Sequence, residues 1–167
     1  TPVMAREDKY TCIFGGGAVR GFAYIGAIKA LQELKIKYDT IAGSSAGAIV
    51  ATLLAVGYSD EEIKDILLKI NFDLFRDIHF SLNSGFAFSK GEVFTKWIRK
   101  NIEKKFYGEN YVKGQNKPVT FADLETNLLV YTTNLVKFDC QEFSKQETPD
   151  FEIAEAVRIS CSMPGLM

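Results

Sequence analysis

Thr40-Ile41-Ala42-Gly43-Ser44-Ser45-Ala46-Gly47-Ala48-Ile49-Val50 is the stretch on which the fold of this 167-residue chain turns. Thr40 to Ala42 reads as a short buried strand and Ala46 to Val56 as a nearly all-apolar helix, buried on every side, with a Gly-x-Ser-x-Gly turn between them. Small residues on both sides of Ser45 permit a sharp strand-to-helix elbow that holds its hydroxyl clear of the sheet, and the N–H of Ala46 then points toward a developing oxyanion. Ser45 is therefore the candidate nucleophile of a serine acyl hydrolase, supported by Gly43 and Gly47. Ser44 is one place off the motif and reads as a turn or cap residue.

Upstream, Tyr10 to Phe14 is a short apolar run ending at Gly15-Gly16-Gly17, which reads as a buried strand stopping at a glycine turn. From Val19 to Leu34 the apolar residues Phe22, Ile25, Ile28, Leu31 and Leu34 recur at helical intervals. Downstream, Ser59-Asp60-Glu61-Glu62 is a capping box opening a helix to about Ile70. Asn71 to Lys90 lacks a clear period and reads as a long Phe-rich loop or lid, followed by a basic helix from Glu92 to Lys104 and a polar connection from Tyr107 to Pro118. Leu128 to Thr133 is a third strand and Gln141 to Ser144 a fourth, and Asp150 is placed to cap a last helix through about Arg158. Strands alternating with helices, without repeats or a linker, predict one α/β domain over residues 1–167 with a largely parallel sheet.

Composition narrows the function. With 47% hydrophobic and 25% charged residues the chain reads as a globular domain, and a formal charge of −1 gives no broad electrostatic case for nucleic acid or anionic membrane. Any lipid contact is then local and peripheral. Cys12, Cys140 and Cys161 have no metal-ligand spacing and read as buried thiols, which suits a reducing, cytoplasmic setting but is also compatible with secretion. No metal or organic cofactor is called for, and no apolar run is long enough to span a bilayer.

Both glycine turns follow a strand and precede a helix, which places backbone N–H groups and the positive end of a helix dipole at the carboxyl edge of the sheet. The first, Gly15-Gly16-Gly17-Ala18-Val19-Arg20-Gly21, is suited to holding an oxyanion or cradling a phosphate. Gly15, Gly17 and Gly21 loosely fit a dinucleotide fingerprint with Asp39 as the ribose acid. In that motif, however, the acid ends the second strand, whereas Asp39 precedes Thr40-Ile41-Ala42.

Gly-Gly-x-x-Arg-Gly after one strand, paired with Gly-x-Ser-x-Gly after the next, resembles the patatin-like phospholipases. The Tyr24-Ile25-Gly26-Ala27 helix and the Ser162-Met163-Pro164-Gly165 stretch are similar to that family too. The resemblance implies a three-layer α/β/α fold and a lipid acyl hydrolase with a Ser-Asp dyad, acting on phospholipid or lysophospholipid esters without a cofactor. Ser45 matches the nucleophile, the loop at Gly15, Gly16, Gly17 and Ala18 the oxyanion hole, and Arg20 the basic residue behind it. In plant members one residue separates three glycines from the basic residue, whereas here Ala18 and Val19 intervene; aligned from Arg20, the donors are the N–H groups of Gly16, Gly17 and Ala18.

A dyad also accounts for the single histidine, His79, which has no acid partner placed as a triad requires and reads as a loop or core residue. The dyad's aspartate stands in an Asp-Gly-Gly or Asp-Gly-Ala motif in the family, yet no aspartate here is followed by glycine. Asp123, Asp139 and Asp150 are the late candidates, each with a plainer surface or cap reading. The expectation is a chain that is C-terminally incomplete and, by itself, nearly inactive. A catalytically silent lipid-binding or regulatory module of the same fold is the alternative.

Substrate contacts are the least legible part. Phe72, Phe75, Phe80, Phe86 and Phe88 suit an acyl-chain channel or ordinary core packing. Lys96, Arg99, Lys100, Lys104 and Lys105 suit phospholipid head groups or a solvated helix face.

Overall fold

The computed structural model describes residues 9–17, 21–69, 87–134 and 139–162. Its elements are β1 (Tyr10–Phe14), α1 (Gly21–Glu33), β2 (Tyr38–Ser44), α2 (Ala46–Ala55), α3 (Asp60–Leu68), α4 (Ala87–Tyr107), β3 (Asn127–Asn134), β4 (Asp139–Phe143) and α5 (Ile153–Cys161). Short 3-10 turns occupy Gly108–Asn110 and Phe121–Asp123.

The sheet order is β1-β2-β3-β4. The first three strands are parallel, with Phe14 beside Gly43 and Ser44 beside Tyr131, because helices carry the chain back between them. β4 turns antiparallel, Val130 pairing with Phe143, since only a short connection joins it to β3. The chain is thus an α/β protein with a largely parallel sheet, as its alternation of strands and helices indicates.

α2 is the centre of the core. All ten of its residues are buried, and it packs on β1, β2 and β3. Full burial of side chains such as Ile49, Val50 and Leu53 stabilises the fold by about 2 kcal/mol each. Around α2 lie Ile28 of α1, Ile63 and Leu67 of α3, and the stripe Phe94, Ile98 and Ile102 of α4, spaced one helical turn apart. α5 closes the layer with Ile153, Ala154, Ala156 and Val157. Of the described helices, α2 and α5 make the main contacts with the sheet, whose face of Cys12, Phe14, Ile41, Leu128 and Val130 is buried. On the other face Ile13 is 76% exposed, so β1, expected to be a buried strand, is buried only at Cys12 and Phe14, where helices cover it.

Several expectations need correction. The basic helix begins at Ala87, so Ala87 to Lys90 are helical and not loop, while residues 70–86, with Phe72, Phe75, His79, Phe80 and Phe86, lie outside the described residues. Phe88 is in that helix, but its side chain is not among those described. The last helix is capped at Glu152, not Asp150, and without a side-chain bond, because the Glu152 carboxylate is held by Arg99 of α4 at 2.5 and 3.0 Å. Of the three thiols, Cys12 and Cys161 are buried, but Cys140 is exposed, since β4 is an edge strand with its first three residues open to solvent. The capping box at Ser59 forms as read: the Ser59 hydroxyl accepts from the Glu62 N–H, and the Glu62 carboxylate accepts from the Ser59 N–H at 2.8 Å. Among the described residues no helix is long and apolar enough to cross a membrane.

Candidate active site

β1 and β2 are parallel neighbours, so the glycine loop after Phe14 and the elbow after Ser44 emerge side by side at the carboxyl edge, roughly 5 Å apart. The elbow is strained. Ser45 has φ 54° and ψ −124°, a region that L-residues rarely occupy and that costs roughly 1–3 kcal/mol where its surroundings enforce it. Although Ser45 stands at the N-cap of α2, its side chain makes no capping hydrogen bond. The hydroxyl is left for another use.

Two glycines make that geometry possible. A Cβ on Gly43 would lie 2.7 Å from the Gly47 carbonyl carbon and 2.8 Å from the Ala48 Cα, and one on Gly47 would lie 2.5 Å from the Gly15 carbonyl oxygen. The first turn of α2 is therefore drawn onto the ends of β1 and β2 more closely than any side chain allows. Gly16 stands against Ser45, where a Cβ added to it would lie 3.5 Å from the Ser45 Cβ. Gly17 has φ 132°. The Gly15 carbonyl is pinned from α1, where the Tyr24 hydroxyl donates to it at 2.9 Å and the Tyr24 ring meets Phe14 edge-on at 5.1 Å. Ala18 and Arg20, the remaining loop residues singled out from the sequence, lie outside the described residues.

The end of α5 also reaches this site, which no sequence motif signalled. The Ser45 N–H donates to the Ser160 hydroxyl at 2.8 Å, and that hydroxyl donates onward to the Tyr131 carbonyl at 2.6 Å. The Cys161 thiol donates to the Ser45 carbonyl at 3.4 Å. Burial pushes the Cys161 thiol up to about 12, so it stays neutral and is itself no candidate nucleophile. The Ser45 N–H is thus spoken for. The N–H groups of Ala46 and Gly47 open α2, where a helix has no intrahelical acceptors for them.

The late aspartates are not brought to Ser45. Asp123 accepts from the Thr120 N–H and hydroxyl, just before β3 begins and so toward the amino edge of the sheet. Asp150 precedes α5, whose far end carries Ser160, a separation of about 13 Å along the helix axis. Asp139 is exposed and begins β4, two strands from β2. Asp39, the ribose acid of the dinucleotide reading, lies near the start of β2 at the edge opposite the glycine loop, 3.7 Å from Lys9. A cleft lined by Lys9, Leu31, Lys35, Ile36 and Tyr38 opens at that same remote edge.

The basic face of α4 is largely engaged. Lys96 pairs with Glu92, Arg99 with Glu152, and Lys105 with Glu62 while lying over the Tyr58 ring. Lys100 and Lys104 are exposed.

A family model described as patatin-like phospholipase matches residues 12–167. An uncharacterised protein of Acanthamoeba polyphaga mimivirus is 38% identical over 172 residues, covering 100% of this chain and 56% of its own length. A protein of Invertebrate iridescent virus 6 named "Probable lipid hydrolase" is 31% identical, covering 95% of this chain and 55% of its own. The chain spans about half the length of these relatives. Among solved structures, ExoU of the Pseudomonas aeruginosa type III secretion system superposes with a TM-score of 0.70 at 24% identity, over 93% of this chain and 38% of its own, a likeness of fold.

Proposed function

The chain belongs to the patatin-like phospholipase family, and from that premise we propose that it supplies the nucleophile half of a lipid acyl hydrolase acting on fatty acyl esters of phospholipids or lysophospholipids. In this reading the Ser45 oxygen attacks the ester carbonyl carbon while its proton passes to a carboxylate. The tetrahedral oxyanion is held by about two or three N–H groups drawn from Gly15, Gly16, Gly17, Ala18 and Ala46, each worth roughly 3 kcal/mol in comparable sites. The positive end of α2 adds to this stabilisation. Collapse expels the lipid alcohol, which takes the proton, and leaves an acyl-Ser45 ester that water then hydrolyses. Arg20, Gly43 and Gly47 support the two loops.

The base is a carboxylate other than Asp123, Asp139 and Asp150, which all stand away from Ser45. Lipid contact is assigned to a peripheral encounter at the carboxyl edge. No metal or organic cofactor enters the reaction. The observation that carries the proposal is the positive φ of Ser45 at a strand-to-helix junction, with its hydroxyl uncommitted to the helix cap.

The test is hydrolysis of phosphatidylcholine and lysophosphatidylcholine vesicles and of a short-chain ester by the full-length protein, with fluorophosphonate labelling in parallel. Labelling that Ser45→Ala abolishes, together with a fall in turnover of about a thousandfold or more, is the expected result. Undiminished hydrolysis by Ser45→Ala sinks the proposal. Lipid binding with neither labelling nor turnover in the wild type favours the silent binding module instead.

A further inference from the structure

We infer that Ser160 is a positioning residue for the nucleophile: its buried hydroxyl links the Ser45 amide to the Tyr131 carbonyl and so fixes where the Ser45 side chain points. The inference rests on Ser45 being the nucleophile. It concerns a residue 115 positions away in sequence, on a different element.

A strained backbone persists only where its surroundings over-determine it. At Ser45 the constraint comes from three directions. Gly43 and Gly47 remove the side chains that would push the elbow open. The Ser45 carbonyl is engaged within its own turn, accepting from the Ala48 N–H at 2.9 Å, and again from the Cys161 thiol. The Ser45 N–H, turned away from the ordinary strand ladder by the positive φ, finds its acceptor in Ser160, which is only 3% exposed.

A hydroxyl suits this place because it accepts and donates at once. It takes the Ser45 N–H at 2.8 Å and gives its own hydrogen to Tyr131 at 2.6 Å, and Tyr131 is the residue paired with Ser44. The link therefore ties the residue before the nucleophile, the nucleophile and the end of α5 into one unit. Because the Ser45 N–H is consumed here, the oxyanion must find its donors elsewhere, at Ala46 and in the glycine loop.

Without the hydroxyl, a partly buried N–H and a partly buried carbonyl both lose this partner, and the elbow regains one only by moving. A displacement of about 1 Å at a reacting atom costs on the order of 100-fold in rate. In the full-length protein, Ser160→Ala is expected to lower the rate constant for fluorophosphonate labelling of Ser45, and kcat on a short-chain ester, by about 10- to 100-fold, with KM within about twofold of wild type. Ser160→Thr, which retains the hydroxyl, is expected to label within about threefold of wild type. A merely space-filling residue would give neither the split between kcat and KM nor the recovery.

Folded Ser160→Ala that labels at the wild-type rate overturns the inference, as does Ser160→Thr as slow as Ser160→Ala. If Ser160→Ala does not fold, amide hydrogen exchange at Ser45 in the wild type decides. Strong protection supports the link, and exchange at the rate of a free peptide overturns it. These outcomes are separable from failure of the functional reading. A wild type that is not labelled, with Ser45→Ala fully active, removes both, whereas a labelled wild type with an unaffected Ser160→Ala removes only the role of Ser160.

Discussion

Gly47 lies with its Cα facing the last carbonyl groups of β1, so that a methyl group there would overlap the backbone of Phe14 and stand 2.5 Å from the Gly15 oxygen. Both partners are main chain at the centre of the molecule, and neither can move without displacing the sheet or α2. Gly43 and Gly47 also face one another.

Gly47→Ala and Gly43→Ala are therefore expected to destabilise the protein by at least about 3 kcal/mol each, which chemical unfolding would register. Gly26→Ala is the control. Gly26 is an exposed residue of α1, with nothing within 4 Å of an added Cβ, so its substitution is expected to stabilise by about 0.5–1 kcal/mol. Equal effects at the three positions would mean that the close approach is not what the glycines serve.

Ser45→Gly separates stability from chemistry. Glycine tolerates φ 54° and ψ −124° where serine is strained, so the variant is expected to unfold about 0.5–1 kcal/mol harder than wild type after allowing for the freer unfolded chain. Fluorophosphonate labelling should vanish at the same time. A less stable variant would show that the serine side chain supports the elbow through contacts beyond those of its backbone.

The contact between α4 and α5 makes a pH-dependent prediction. Arg99 grips Glu152 with two hydrogen bonds and lies 3.8 Å from Glu155, while Glu103, only 5% exposed, sits one turn along α4. Burial pushes the Glu103 carboxyl above 4.5; Arg99 opposes the shift and Glu152 adds to it. For an acid whose folded pKa is raised, stability is greatest below the unfolded value and is lost as pH rises from there through the folded value. Glu103→Gln should thus be more stable than wild type at neutral pH, with the difference disappearing as pH falls toward 4. Arg99→Ala is expected to cost roughly 2 kcal/mol at neutral pH by stranding the half-buried Glu152. A pH-independent difference for Glu103→Gln would rule out its charge as the cause.

Much of the fold was legible because the patterns were local. The apolar run Tyr10 to Phe14, the continuous apolar run after Ser45 and the Ser59 capping box each state their structure within a few residues, and each forms where read. The start of the last helix is not legible in the sequence, because Asp150 is chemically as good a cap as any, while Glu152 is held by a partner 53 residues away. The basic face of α4 looked available for the same reason: Glu62, Glu92 and Glu152 neutralise it, and two of them come from other elements.

The site divides along the same line. The sequence by itself determined that Ser45 stands on a turn between a strand and a buried helix, that a glycine loop follows the preceding strand, and that the glycines around Ser45 are small for a reason. Those are properties of residue type and short-range spacing. Only the tertiary structure decided that the two loops are neighbours, that Tyr24 holds one of them, and that Ser160 and Cys161 close on Ser45 from the end of α5. Parallel pairing brings together segments separated by whole helices, and a hydrogen bond spanning 115 residues leaves no periodicity in the chain that forms it.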